Sequence, residues 1–235
     1  MIYVKLASLT ILVYVWPMTT LLIATRNAHK VGEIQAILGA DFRCLTLKDF
    51  PDAPAVVEDA DTFAGNATKK AVELAKWLAP QISNFKFQIS NPIFVLADDS
   101  GLVVDALNGA PGVHSARFAA LDKTENSKDA DNNAKLLRLL KDVPLEKRAA
   151  RFRCVIALAA VENWKLEIGN CQCFDGACEG RIQFAASGQG GFGYDPLFVP
   201  DGFQQSFAEL GEDVKNKLSH RAKALEKLKM FFTTK

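Results

Sequence analysis

Cysteine is scarce in this chain, with five residues (Cys44, Cys154, Cys171, Cys173 and Cys178) among 235. An odd and thinly spread set, with no pair of C-x-x-C knuckles and no histidine partners, excludes a disulfide framework. It reads as reduced thiols in a cytoplasmic protein. Cys171 and Cys173, with Cys178 beyond them, suggest a metal site, but their spacing is not that of zinc ligands. An excess of one charge is also missing, since 28 Lys and Arg stand against 27 Asp and Glu. A balance that close excludes a nucleic-acid surface built on bulk charge, so any anion must be caught locally. No membrane span is present either. The apolar run Leu6 to Trp16 is too short to cross a bilayer. It has the length of a signal-peptide core without the small-x-small cleavage pattern. The sequence therefore reads as an apolar, non-native extension over 1–17, with Met18 as an alternative start and export as the open alternative.

What remains is an ordinary globular composition, 49% hydrophobic and 23% charged, in one folded unit over 18–235 without linker or repeat. Thr20 to Ala24 reads as a buried strand, followed by a helix from Ala28 to Leu38 in which Val31, Ile34 and Leu38 share a stripe. A second helix carries Ala64, Ala67, Ala71, Leu74 and Leu78 and ends at Pro80. Ile93 to Ala97 reads as a strand that meets charge at Asp98, with Leu102 to Ala106 as a further short strand before the turn Gly109–Gly112. Ala130, Ala134, Leu137 and Leu140 mark a third helix. Phe152–Val161 and Trp164–Phe174 read as an antiparallel pair joined at Glu162-Asn163. A last helix carries Leu218, Ala222, Leu225, Leu228 and Phe232. Alternation followed by strand pairing predicts an α/β fold with a mixed sheet.

Four segments carry candidate chemistry. Thr25 to Lys30 joins a strand to a helix, where free amides, the Thr25 and Asn27 side chains and the Lys30 charge would hold phosphate. An N-capped helix with a solvated lysine fits the same residues. In Asp98-Asp99-Ser100-Gly101, two adjacent carboxylates after a buried strand need solvent, a counter-charge or a cation. A hard divalent ion suits them, with Glu58 adding a carboxylate; a strand-capping turn is the plain alternative. Ser187 to Pro196 is rich in glycine around Phe192 and Tyr194, so it stacks a flat base beside Asp195 or closes an ordinary hairpin. Lys215, His220 and Arg221 bring donors to the last helix or form its wet face.

Together these segments resemble the inosine triphosphate pyrophosphatase family, the Ham1-like or RdgB-like non-canonical purine NTP pyrophosphatases. The matching elements run in the family's order from about Met18 onward. They are ATRNAHKVGEI, TF-x-x-NA-x-x-KA at Thr62 to Ala71, ADDSGLVVDAL-x-GAPGVHSARFA, GGFGYDPLF and SHRAKAL. The resemblance implies an elongated mixed β-sheet flanked by helices, in two lobes with a central nucleotide cleft. It implies a homodimer and Mg²⁺-dependent hydrolysis of ITP, dITP and XTP to the monophosphate and pyrophosphate, which cleanses the nucleotide pool.

Carried over by position, Thr25, Arg26, Asn27, Ala28, His29 and Lys30 would hold the triphosphate. Asp99 would be proton acceptor and metal ligand, with Glu58 as metal ligand and Asp98 in support. Ser100 would contact substrate and Lys70 phosphate. Phe192, Gly193, Tyr194, Asp195, Lys215, His220 and Arg221 would form the nucleoside pocket. Gly65 departs from the pattern, since similar chains often carry Glu before the Asn of this motif. A nucleotide-binding module that has lost catalysis is the rival reading that this departure favours.

Overall fold

The computed structural model describes residues 2–6, 9–13, 18–82, 93–120, 126–161 and 171–234. Strands β1 (Ile2–Leu6) and β2 (Leu9–Val13) pair antiparallel in a two-stranded sheet of their own. The rest of the chain builds one six-stranded mixed sheet. In chain order it comprises β3 (Thr20–Ile23), helix α1 (Ala28–Leu38), β4 (Arg43–Thr46), α2 (Phe63–Ile82), β5 (Ile93–Val104) and α3 (Asp129–Leu139). There follow β6 (Ala149–Ala160), β7 (Gln172–Ile182), β8 (Phe198–Pro200), α4 (Phe207–Leu210), α5 (Glu212–Leu218) and α6 (His220–Thr233). Sheet order is β4-β3-β5-β6-β7-β8. The β4-β3-β5 half is parallel and the remainder antiparallel. β5 and β6 are each 12 residues long, about 40 Å at strand rise, which makes the sheet elongated. No described helix is long and apolar enough to cross a membrane.

The organising element is β5. Its first residues are buried on both faces and pair with β3 over Ile93–Leu96. Where β3 stops, β5 continues against β6, pairing Asp98 with Ile156 and Asp99 with Val155, with one isolated bridge from Val103 to Pro111 on its other edge. This corrects the expected break into two strands. The carboxylates do not end the strand because both find partners, described below. Gly101 also lets it pass, since a Cβ there would collide with Ser115 and the Gly112 carbonyl.

Helix α2 covers one face of this half through Ala67, Ala71 and Leu74, while α1 and α6 cover the other through Ile34, Leu38, Leu225 and Leu228. A third cluster, around Leu102, Phe118, Leu136, Phe152, Phe198 and Phe207, forms the second lobe.

Several element boundaries differ from the sequence expectation. α2 runs two residues past Pro80, because a missing N–H in the last turn forfeits only one bond. α3 buries Asn132 and Leu136 rather than Ala130 and Ala134. The expected last helix is two, because the Ser219 hydroxyl accepts from the Ala222 amide and starts α6 afresh. The pairing of β6 with β7 is antiparallel as expected. The Glu162-Asn163 connection and residues 164–170 lie outside the described residues. Strands β4 and β8, only four and three residues long, carried no periodicity to read.

Candidate active site

A cavity of about 810 Å³ opens between the two lobes. Its walls are the β3–α1 turn, the segment 54–59, the middle of β5, the 3-10 stretch Gly112–Ala120, the glycine-rich loop before β8, and the α5–α6 junction. Asp99, Glu58, Lys30, Lys70, Phe192, Lys215 and Arg221 all line it. So do Thr25, Arg26, Asn27, Ser100, Gly193, Tyr194, Asp195 and His220. Ala28, His29 and Asp98 do not belong to this lining.

Strand alternation gives the two adjacent aspartates opposite surroundings. Asp98 points toward α1 and α6 and is 1% exposed. It accepts from Lys30 and from Arg221 Nε at 3.0 Å, from Ser100 Oγ at 3.0 Å and from Cys154 Sγ at 3.1 Å. Burial alone would raise its carboxyl, yet Arg221 and Lys30 hold it well below the usual carboxylate range. Its oxygens are thus engaged inside the protein, and Asp98 lies outside the cavity lining that holds Glu58 and Asp99.

Asp99 faces α2 and the cavity. Its Oδ2 accepts from Asn66 Nδ2 at 3.1 Å. Burial pushes its carboxyl up to about 6, with Glu58 adding to the rise against Lys30, Lys70 and the Asn66 bond. Asn66 also accepts from the Ala60 amide at 2.9 Å, which ties the acidic segment to α2. Lys70 Nζ bonds the Asp98 carbonyl at 3.1 Å and Glu58 Oε1 at 2.8 Å. Glu58 and Asp99 therefore sit side by side on the cavity wall, while the other lining carboxylates, Asp59, Asp129 and Asp195, are engaged by Lys69, the Gly193 amide and Lys215. Among the described residues no group of three or more His, Cys, Asp or Glu could hold a metal by itself. A pair suits Mg²⁺, which commonly takes one or two carboxylates and completes its shell with phosphate and water. The cysteine site has a physical bar as well: Cys178 lies an odd number of residues from Cys173, on the opposite face of β7.

At the β3–α1 turn, Asn27 Oδ1 accepts from the His29 and Lys30 amides at 3.0 and 3.2 Å. The N-cap therefore forms, but the lysine is not solvated. Burial opposes the Lys30 charge, Asp98 overcomes this, and the ammonium pKa is raised. Arg26 crosses to the Ala53 carbonyl at 2.7 Å.

The opposite end is aromatic. Phe192 stacks on His29 with centroids 5.2 Å apart and planes at 15°, and the Lys215 ammonium lies 4.4 Å from the same ring. Asp195 folds back on its own loop and accepts from the Phe192 amide at 2.8 Å and from Lys215 Nζ. Gly191 permits this, because its φ is +73° and a side chain there would strike Asp195. Asp129 and Asn133 of α3 hold the Gly193 amide and carbonyl at 2.7 and 3.0 Å.

Glu33 joins the two ends. It pairs with Lys215 Nζ at 2.7 Å and with Arg221 Nη1, so α1, α5 and α6 share one buried ionic network. Arg221 Nη2 also donates to Ser100 Oγ at 2.9 Å. The same nitrogen reaches Asp98 Oδ1 at 3.4 Å, so of the five guanidinium hydrogens one, on Nη1, has no acceptor among the described residues. His220 stacks on Phe152 with centroids 4.9 Å apart, and its Nδ1 is buried without a partner in the described structure. Burial, then Arg221 and Lys215, hold this imidazole well below its ordinary value, so it is neutral.

Sequence reasoning missed Glu33, Asn66 and Cys154. A carboxylate beside the buried Ile34 and Leu38 was the available signal for the first. An asparagine inside the stripe of Ala67 and Ala71 was the signal for the second.

Comparison with known proteins agrees with this architecture. A profile of the Ham1 family matches residues 21–231. The chain is 47% identical over 213 residues to the dITP/XTP pyrophosphatase of Geobacter sulfurreducens, covering 90% of this chain and 96% of that one. It is 46% identical over 208 residues to the enzyme of that name from Desulforamulus reducens, covering 88% and 92%. The solved HAM1 protein of Coxiella burnetii superposes with a TM-score of 0.75 at 34% identity, over 93% of this chain and all (100%) of that one. With a mixed sheet of this order, a cleft of this make-up and matches over nearly the whole length, the chain belongs to the Ham1 family.

Proposed function

We propose that the protein is a nucleoside-triphosphate pyrophosphatase that hydrolyses dITP and XTP, and ITP with them, to the monophosphate and pyrophosphate in the presence of Mg²⁺. The observation that carries this reading is that a carboxyl raised to about 6 (Asp99) and a second carboxylate (Glu58) share one cavity with an aromatic platform (Phe192). Glu58 and Asp99 are the residues that would hold Mg²⁺, whose chemistry when bound is to neutralise phosphate charge.

The chain's own groups do the rest. Phe192 stacks the base. Asn66 holds Asp99 Oδ2, which leaves Oδ1 to take the proton of a water attacking the α-phosphorus. The bond between α-phosphorus and bridging oxygen breaks, and pyrophosphate leaves toward the basic residues. Lys30 is held by Asp98, so its position is fixed before substrate arrives. The free Arg221 hydrogen and the His220 imidazole favour a 6-oxo acceptor over the 6-amino donor of adenine. A site built to hydrogen-bond one group rejects the wrong one by about 10⁴.

The test is pyrophosphate release from dITP, XTP, ITP, dATP and dGTP at fixed Mg²⁺. The first three should turn over with kcat/KM at least 10² above dATP. Equal turnover of dATP, or no pyrophosphate from any of them, would contradict the reading. The homodimer implied by the family resemblance is part of this proposal, and light scattering on the purified chain should give twice the monomer mass.

A further inference from the structure

We propose that Arg117 is a substrate-contact residue that takes the terminal phosphates of the nucleotide and the pyrophosphate that departs; this rests on the function proposed above. Six cationic side chains line the cavity: Arg26, Lys30, Lys70, Arg117, Lys215 and Arg221. Lys30, Lys70, Lys215 and Arg221 meet Asp98, Glu58, Glu33 and Asp195 in ion pairs. Four cations therefore face four carboxylates and cancel. Among the described residues, Arg26 and Arg117 are in no ion pair, so these are the lining cations that a polyanion meets with no carboxylate to displace; of the lining carboxylates outside ion pairs, Asp99 is the proposed Mg²⁺ ligand and Asp129 is turned to the Gly193 amide.

Arg26 lies in the β3–α1 turn, already expected to hold phosphate. Arg117 stands on the other wall, in the GAPGVHSARFA motif. Among the described residues its guanidinium reaches the Glu58 carbonyl, at 3.3 Å, and His114 Nδ1, at 3.4 Å. Both bonds are long and involve neutral acceptors. Phosphate oxygens offer the planar fork two charge-assisted bonds, which are stronger.

The backbone around it is firmly held. Ser115 Oγ accepts from the Leu102 amide at 2.9 Å, and the Ser115 carbonyl accepts from Tyr194 at 2.8 Å. Asn132 fixes the Ala119 amide at 2.7 Å, and Phe118 is 3% exposed in the second-lobe core. At Arg117 itself the 3-10 run is interrupted, with φ −120° and ψ 20°. A loosely bonded guanidinium on a rigid backbone loses little freedom when a ligand replaces its present acceptors. The bond to Glu58 places it beside the candidate metal carboxylate, where phosphates rather than the base would lie.

Calorimetric titration of the full chain with inorganic pyrophosphate, and separately with dIMP, tests this in wild type, Arg117→Gln and Arg117→Lys at one Mg²⁺ concentration. Loss of charged hydrogen bonds should raise the pyrophosphate Kd of Arg117→Gln about 10- to 100-fold. The dIMP Kd should stay within twofold, and Arg117→Lys should recover part of the loss. Unchanged pyrophosphate affinity in Arg117→Gln overturns the proposal. So does equal weakening of both ligands, which would mark a structural role through the Glu58 segment. The result is independent of the parent reading, which fails instead if wild type releases no pyrophosphate from dITP.

Discussion

Asp98 and Asp99 are neighbours in sequence and opposites in chemistry. Asp98 is ionised by two cations, and Asp99 is pushed toward neutrality by burial. The folded value of Asp99, about 6, lies above the ordinary 3.8. The fold therefore favours its neutral form; this stabilisation is complete below pH 4 and disappears as pH rises through 6. The difference corresponds to about 3 kcal/mol. Asp99→Asn should abolish turnover. In metal-free buffer it should be more stable than wild type at pH 8, by up to about 3 kcal/mol, and equal to it at pH 4. Urea denaturation at the two pH values reads this directly, and no gain at pH 8 would disprove the burial argument. Asp98→Ala should instead cost about 3–5 kcal/mol, because Arg221 and Lys30 would lose a buried counter-charge. A loss below 1 kcal/mol by the same measurement would contradict that. The sequence marked both aspartates, but their division of labour depends on β5 running unbroken through them, and the adjacent charges suggested a break.

At the scale of elements, the ionic network welds α1 to the α5–α6 junction. Lys215, His220 and Arg221 resembled the wet face of a helix, yet they are buried at 3%, 4% and 1% exposure. Their spacing on a helix could not show that Glu33 and Asp98 lie opposite them, since both partners are distant in sequence. Glu33→Gln keeps the shape and removes the charge. It should destabilise the protein by several kcal/mol, in the range for breaking a buried pair, and lower the melting temperature in a thermal scan. Because Lys215 also holds Asp195 and covers Phe192, the same variant should weaken dIMP binding more than pyrophosphate binding in calorimetry. Loss confined to pyrophosphate would contradict this assignment. Helix α1 was legible to its last residue, because its apolar stripe and flanking polar residues agree. α3 was not, because its buried face includes Asn132, which a count of apolar residues passes over.

At the scale of the molecule, the elongated sheet brings together five sequence segments that the motif order alone could only enumerate. The fold class was legible in the alternation of helix and strand and in the family resemblance. Sheet order, the extent of β5 and the two-lobed cleft required the three-dimensional pairing. Low-numbered segments at the β3–α1 turn supply one wall, and the α5–α6 junction close to the chain's end supplies another, across a sheet that neither reaches alone. The measurement that bears most directly on this arrangement is a crystal structure of Asp99→Asn with dITP and Mg²⁺. The account predicts the base against Phe192, the α-phosphate beside residue 99 with the metal at Glu58, and the terminal phosphates between Arg26 and Arg117. A nucleotide bound outside this cavity, or seated with its base toward Glu58 and its phosphates toward Phe192, would contradict it.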